Sequence, residues 1–107
     1  MNKEIITNCK NYIDNYNDEE CKNYILYIIE QYTNQIIEYK DAIYQDTTYR
    51  LSYEYIFQQV YLHACLKKNE SLAKWMKEEI YTKHFDVIQQ IALRQMFIYG
   101  NYLLRKE

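Results

Sequence analysis

The chain has 107 residues, with 14 Tyr, one Gly and no Pro. Its length fits one domain or a fragment of a longer repeat array. The scarcity of Gly and Pro excludes Gly-rich phosphate loops and Pro-rich segments, and argues against multi-hairpin β folds, which need turn residues roughly every 8–12 positions. The formal charge of −2 is unevenly spread. Residues 1–49 carry four Lys against nine acids, and residues 50–107 carry nine Lys or Arg against six acids. Such a dipole can orient a partner, or it can reflect ordinary solvated helix faces.

With 49 % apolar and 26 % charged residues, the composition is neither that of a disordered chain nor that of a membrane-spanning one. The longest apolar run, Tyr24 to Ile29, is too short to cross a bilayer. Met1-Asn2-Lys3-Glu4 opens no signal-peptide pattern. Cys9, Cys21 and Cys65 are odd in number and form no C-x-x-C, which fits a reducing, intracellular setting. Cys9 and Cys65 sit in apolar patterns and are expected to be buried thiols.

Helical periodicity runs through the chain. Ile5, Cys9, Tyr12, Ile13 and Tyr16 fall at helical spacing. Asn15 to Asp18 reads as a break, with Asn17 and Glu20 spaced for a capping interaction. The next helix is predicted over Glu19–Lys40, with Cys21, Tyr24, Ile25, Ile28, Ile29, Tyr32, Ile36 and Tyr39 on one stripe. Leu26, Tyr27 and Ile37 lie off that stripe, as expected of a central helix. A third helix is predicted over about 49–67, capped by Asp46, Thr47 or Thr48, with Tyr53, Ile56, Phe57, Val60, Tyr61 and Ala64 inward. Lys67 and Lys68 suit its C-terminal dipole and Asn69 its cap.

A fourth helix is expected from Glu70 to about Thr82, with Leu72, Trp75, Met76 and Ile80 inward. Lys83-His84-Phe85 reads as a connector, and Asp86 as the cap of a last helix. That helix would turn Ile88, Ile91, Ala92, Gln95, Met96, Tyr99, Tyr102 and Leu103 inward. Gly100 inside it implies a close approach or early fraying, because Gly costs about 1 kcal/mol against Ala in a helix. The expectation is an all-α fold of about five antiparallel helices in a single domain, residues 1–107. Its core would hold Ile25, Ile28, Ile29, Phe57, Val60, Ala64, Leu72, Trp75, Met76, Ile91 and Ala92.

No catalytic motif is present: no G-x-S-x-G, H-E-x-x-H, P-loop or G-x-G-x-x-G. Glu19-Glu20 and Glu78-Glu79 fall at polar positions of periodic segments, where nothing would raise a carboxylate pKa. His63 and Cys65 are two apart on a helix and point to different faces, so a tetrahedral metal site would need ligands converging from afar. Neither an enzyme nor a metal or cofactor site is expected. Lys67, Lys74 and Lys77 could share only a thin basic face on an acidic chain, which leaves a small nucleic-acid-binding factor as a third, weaker reading. Tyrosine is the unusual item. Most Tyr lie at or beside core positions, where they can stand in for Phe or Leu at a core rim. Tyr27, Tyr44, Tyr49, Tyr55 and Tyr81 are left over and form the candidate partner surface.

The segment Tyr61 to Met76 reads as a helix end, a tight polar turn and a second helix, with small Ala64 allowing close approach. Ala64, Cys65, Asn69, Leu72, Lys74, Trp75 and Met76 resemble a degenerate ankyrin-type repeat, with the helix pair at about 53–82. The segments Tyr81 to Asp86 and Ile88 to Arg94 are similar to helical multigene-family proteins of asfarviruses. The likeness is strongest over about Tyr53 to Leu104. It departs from ankyrin at Lys68, which takes the place of the turn glycine, and in lacking a T-P-L-H box and a copy at 33-residue spacing. A compact helical bundle and an ankyrin-like repeat fragment both stay open. The resemblance implies a non-enzymatic viral interaction module in the host cytoplasm, acting in cell tropism or against innate responses. Its partner would be a host protein, with no membrane involved. The alternative is a self-associating structural protein, a homodimer through the Tyr-rich face.

Overall fold

The computed structural model describes residues 2–38, 45–85 and 87–106, with side chains over 3–31, 55–85, 87–91 and 93–106. The fold is all-α, with no strand among the described residues. Helix α1 spans Asn2–Asp14, α2 Asp18–Glu38 and α3 Gln45–Leu66. Helix α4 spans Glu70–Trp75 and passes through a π-helical segment, Met76–Tyr81, into the short α5, Thr82–His84. Helices α6, Val87–Ala92, and α7, Arg94–Arg105, complete the chain. Contacts group into two units, Met1–Gln59 and Val60–Glu107, and the dividing point falls inside α3 instead of at a linker.

In the first unit α1 and α2 pair as a helical hairpin. Ile5, Cys9 and Ile13 of α1 and Cys21, Ile25, Ile28 and Ile29 of α2 are buried. Each such aliphatic side chain contributes about 1.5–3 kcal/mol when removed from water. Tyr12 and Tyr24 meet edge to face at 5.9 Å, and Asn8 Nδ2 donates to the Tyr24 hydroxyl at 3.2 Å. Tyr16, on the apolar stripe by spacing, instead stands in solvent, because α1 has already ended at Asp14.

The turns that end α1 and α3 share one construction. At the first, Tyr16 has φ 59°, its N–H donates to Ile13 O, and the Asn17 N–H reaches back to Tyr12 O at 2.8 Å. At the second, Lys68 has φ 62°, its N–H donates to Cys65 O, and the Asn69 N–H reaches Ala64 O at 2.9 Å. These are paired Schellman closures with a left-handed residue after each helix. Glycine is the usual occupant, and here Tyr and Lys take its place. In both cases an Asn follows, and its carbonyl accepts the first bond of the next helix, from Cys21 N–H and from Ala73 N–H. Asn69 therefore opens α4, its side chain accepting the Leu72 N–H at 3.1 Å, besides closing α3.

In the second unit Val60, Tyr61, Ala64 and Cys65 of α3 are buried, as are Leu72, Ala73, Met76, Ile80, Tyr81 and Phe85. Trp75 is half-buried instead of central. The π segment explains the change of face. Its i→i+5 pairing fits one more residue into each turn, so the inward stripe passes through Met76, Ile80, Tyr81 and Phe85. Tyr81 is thereby 1 % exposed, which corrects its placement on a partner surface.

The last helix is two helices. At Leu93 the chain makes a turn with φ −88° and ψ 0°, and the pattern restarts. Leu93, Met96, Gly100 and Leu103 face inward at gaps of three, four and three. The competing stripe is left outward, so Ile91, expected in the core, is 58 % exposed. Gly100 sets this phase: a Cβ built there would lie 2.6 Å from Tyr61 Cε1 and 3.0 Å from Cys65 Sγ. The expected cap at Asp86 and the side chain of Ala92 lie outside the described residues.

Candidate interaction surface

The five tyrosines singled out by sequence do not form one surface. Tyr27 on α2 and Tyr55 on α3 are exposed. Tyr81 is inside an aromatic cluster, with ring centroids 5.8 Å from Tyr61, 5.0 Å from Phe85 and 5.4 Å from Phe97, all edge to face. Tyr44 and the side chain of Tyr49 lie outside the described residues. Of the expected core residues, Ile25, Ile28, Ile29, Phe57, Val60, Ala64, Leu72 and Met76 are buried.

Tyr55 lines an open groove in the first unit, of about 500 Å³, together with Lys3, Ile6, Thr7, Lys10 and Gln59. The α1 residues recur at helical spacing and so present one face to the groove. The described lining contains no His, Cys, Asp or Glu. Across the described residues no group of three such side chains could hold a metal ion, and no helix is long and apolar enough to cross a membrane.

The cysteines are buried free thiols. Cys21 Sγ lies 4.0 Å from Cys9 O, donating toward it across the α1–α2 hairpin. The hydrogen bond with Cys21, together with burial, holds the Cys9 thiol far above its ordinary range. Burial likewise raises Cys65, and raises the neighbouring Tyr61 phenol, where Cys65 adds to the effect. The Cys9–Cys21 hydrogen bond holds Cys21 below its ordinary range against the opposing effect of burial. Cys9 and Cys65, neutral and packed against apolar neighbours, behave as small hydrophobes.

The largest unsatisfied feature lies on α6 and α7. Val87, Ile88, Ile91, Ile98, Tyr99 and Tyr102 each have more than half their surface open, with Ile88 73 % exposed. Tyr99 and Tyr102 stack at 6.2 Å, and the Lys106 ammonium stands 6.0 Å over the Tyr102 ring. Between residues 87 and 106 the sequence has Arg94, Arg105 and Lys106 and no acid. Isolated exposed apolar residues are ordinary; here six lie along one pair of consecutive helices. The sequence periodicity places Ile88, Ile91, Tyr99 and Tyr102 of this stripe inward together with Met96 and Leu103, of which only the last two are buried; the close approach at Gly100 marks the side that faces the core. No known protein family matches this chain, and neither does any curated protein or solved structure.

Proposed function

We propose that this chain is a non-enzymatic protein–protein interaction module whose main docking face is the outward side of α6 and α7. The observation that carries the reading is the run of exposed Val87, Ile88, Ile91, Ile98, Tyr99 and Tyr102. An apolar helix face with aromatic anchors and basic edges suits a partner helix with an apolar seam and acidic flanks. The resemblance of the Tyr81–Asp86 and Ile88–Arg94 segments to viral multigene-family proteins supports a partner in an infected host cell. The same face supports self-association as a second reading, since an exposed apolar helix can bury itself against a copy.

Site-specific photo-crosslinking tests the proposal in cells. A benzophenone side chain is placed at Ile88, Ile98 or Tyr102, and at the exposed Thr82 as the comparison. The expected result is a discrete protein adduct from the three α6–α7 positions and not from position 82. Equal, diffuse labelling at all four positions overturns the reading.

A further inference from the structure

Two exposed stripes on different helices match in spacing and oppose in charge. On α2, Glu19, Asn23, Leu26 and Glu30 follow at gaps of four, three and four, which places them on one helix face. All four are exposed, Leu26 by 44 %. On α7, Arg94, Ile98, Asn101 and Arg105 follow at the same gaps, and all four are exposed, Ile98 by 57 %. The gap pattern reads the same in both directions. Two such helices laid antiparallel therefore set Glu19 against Arg105, Asn23 against Asn101, Leu26 against Ile98 and Glu30 against Arg94. Acid meets arginine at both ends, amide meets amide, and the apolar residues meet in the middle. Tyr27 beside Leu26 and Tyr102 one turn beyond Ile98 widen that apolar centre.

The end charges are available for such a pairing. Glu30, Arg94 and Arg105 make no ion pair among the described residues. Glu19 has only Lys22, at 3.4 Å across an exposed i,i+3 pair, and such surface pairs hold weakly. Arginine against carboxylate is the stronger arrangement because the guanidinium fork can engage both oxygens.

The occupant that fits is a second copy of this chain. The acidic N-terminal half and the basic C-terminal half attract one another between molecules. Like faces are excluded: α7 on α7 in the same register sets Arg94 against Arg105, and α2 on α2 sets Glu19 against Glu30. We infer that α2 of one molecule packs antiparallel on α7 of another, with the Glu19–Arg105 and Glu30–Arg94 pairs fixing the register. This deepens the interaction-module reading by naming the chain itself as a partner. A reciprocal arrangement closes as a two-fold dimer, and a non-reciprocal one extends as a chain of copies.

Charge exchange on the full chain tests this by sedimentation velocity at rising protein concentration, with circular dichroism checking helicity. The wild type is expected to gain mass with concentration and to lose it at high salt. Glu19→Arg/Glu30→Arg and Arg94→Glu/Arg105→Glu should each weaken association by more than about tenfold, since both ends become repulsive. An equimolar mixture of the two double variants should associate again. The chain carrying all four substitutions keeps the wild-type net charge and should also self-associate, which decides the matter even if one double variant folds poorly. A wild type that stays monomeric, double variants that associate like the wild type, or a mixture that stays monomeric overturns the pairing. Discrete crosslinks from Ile88, Ile98 and Tyr102 to a foreign protein in those same circumstances would leave the interaction-module reading standing.

Discussion

Gly100 of α7 lies against Tyr61 of α3, so closely that a Cβ at position 100 would come within 2.6 Å of Tyr61 Cε1. The ring cannot step aside. It is buried and held edge to face by Tyr81 at 5.8 Å and by Phe97 at 5.4 Å. Gly100→Ala thus sets two terms against each other. Helix propensity favours Ala by about 1 kcal/mol. Overpacking of a fixed core costs about 1–3 kcal/mol. The expected outcome is a net loss of up to about 2 kcal/mol in a urea titration. Tyr61→Phe/Gly100→Ala should recover little, because the clash is with a ring carbon and not with the hydroxyl. A gain in stability for Gly100→Ala would show that the two helices stand further apart.

That contact also explains which parts of the fold a sequence reading reaches. The stripe of Ile25, Ile28 and Ile29 is legible because α2 runs without interruption and its period stays constant. Tyr81 is misassigned for the opposite reason. The π segment Met76–Tyr81 contains it and shifts the helical phase, which a fixed 3.6-residue period cannot register. Ile91 is misassigned for another reason: the outward stripe of Ile88, Ile91, Ile98 and Tyr102 keeps helical spacing across the turn at Leu93 and competes with the inward one. Both apolar stripes of the last segment are present in the sequence, and only the missing side chain at Gly100 tells which one faces the core. The 4-3-4 spacing shared by the acidic and basic stripes is written plainly in the sequence. Its meaning depends on all eight residues being exposed, which only the fold supplies.

Tyr81 and Tyr27 should respond oppositely to truncation. Tyr81→Ala removes a ring that touches Tyr61, Phe85 and Phe97, and should cost about 3–5 kcal/mol. Tyr27→Ala removes a side chain that is mostly in solvent, and should stay within about 0.5 kcal/mol of the wild type. Thermal melts of the two variants check this. Near-equal melting temperatures would return Tyr81 to the surface.

The two left-handed turns offer a paired comparison. Tyr16 and Lys68 both hold positive φ without being glycine, at a strain of roughly 1–2 kcal/mol each. Glycine relieves the strain but gives the unfolded chain more freedom, at about 0.4–1 kcal/mol. Tyr16→Gly should therefore stabilise by about 0.5–1 kcal/mol, since the ring is exposed. Lys68 differs because its Nζ donates to the carbonyls of Leu103 and Lys106, closing the end of α7. Lys68→Gly should gain nothing or lose stability. Urea midpoints in the order Tyr16→Gly, wild type, Lys68→Gly are expected, and the reverse order would mean that the tether contributes less than the strain.

Alkaline pH should expose the buried Cys65 thiol. Burial holds the Cys65 thiol up, so the folded chain keeps a proton there that the unfolded chain releases, whereas the Cys9–Cys21 hydrogen bond raises Cys9 and lowers Cys21 and the two oppose each other. A free thiol titrates near pH 8.5. Below that value both states are protonated and the contribution to stability is full. Above it the unfolded state binds fewer protons, so unfolding becomes easier as pH rises. The slope from Cys65 should be about 1.4 kcal/mol per pH unit. Under reducing conditions, urea midpoints should hold steady from pH 7 to about 8.5 and fall beyond it. Cys65→Ala removes one titrating group from the core, and its profile should fall less steeply above that pH than the wild type's. Matching slopes in the two chains would show that Cys65 ionises as readily in the folded state as in the unfolded one.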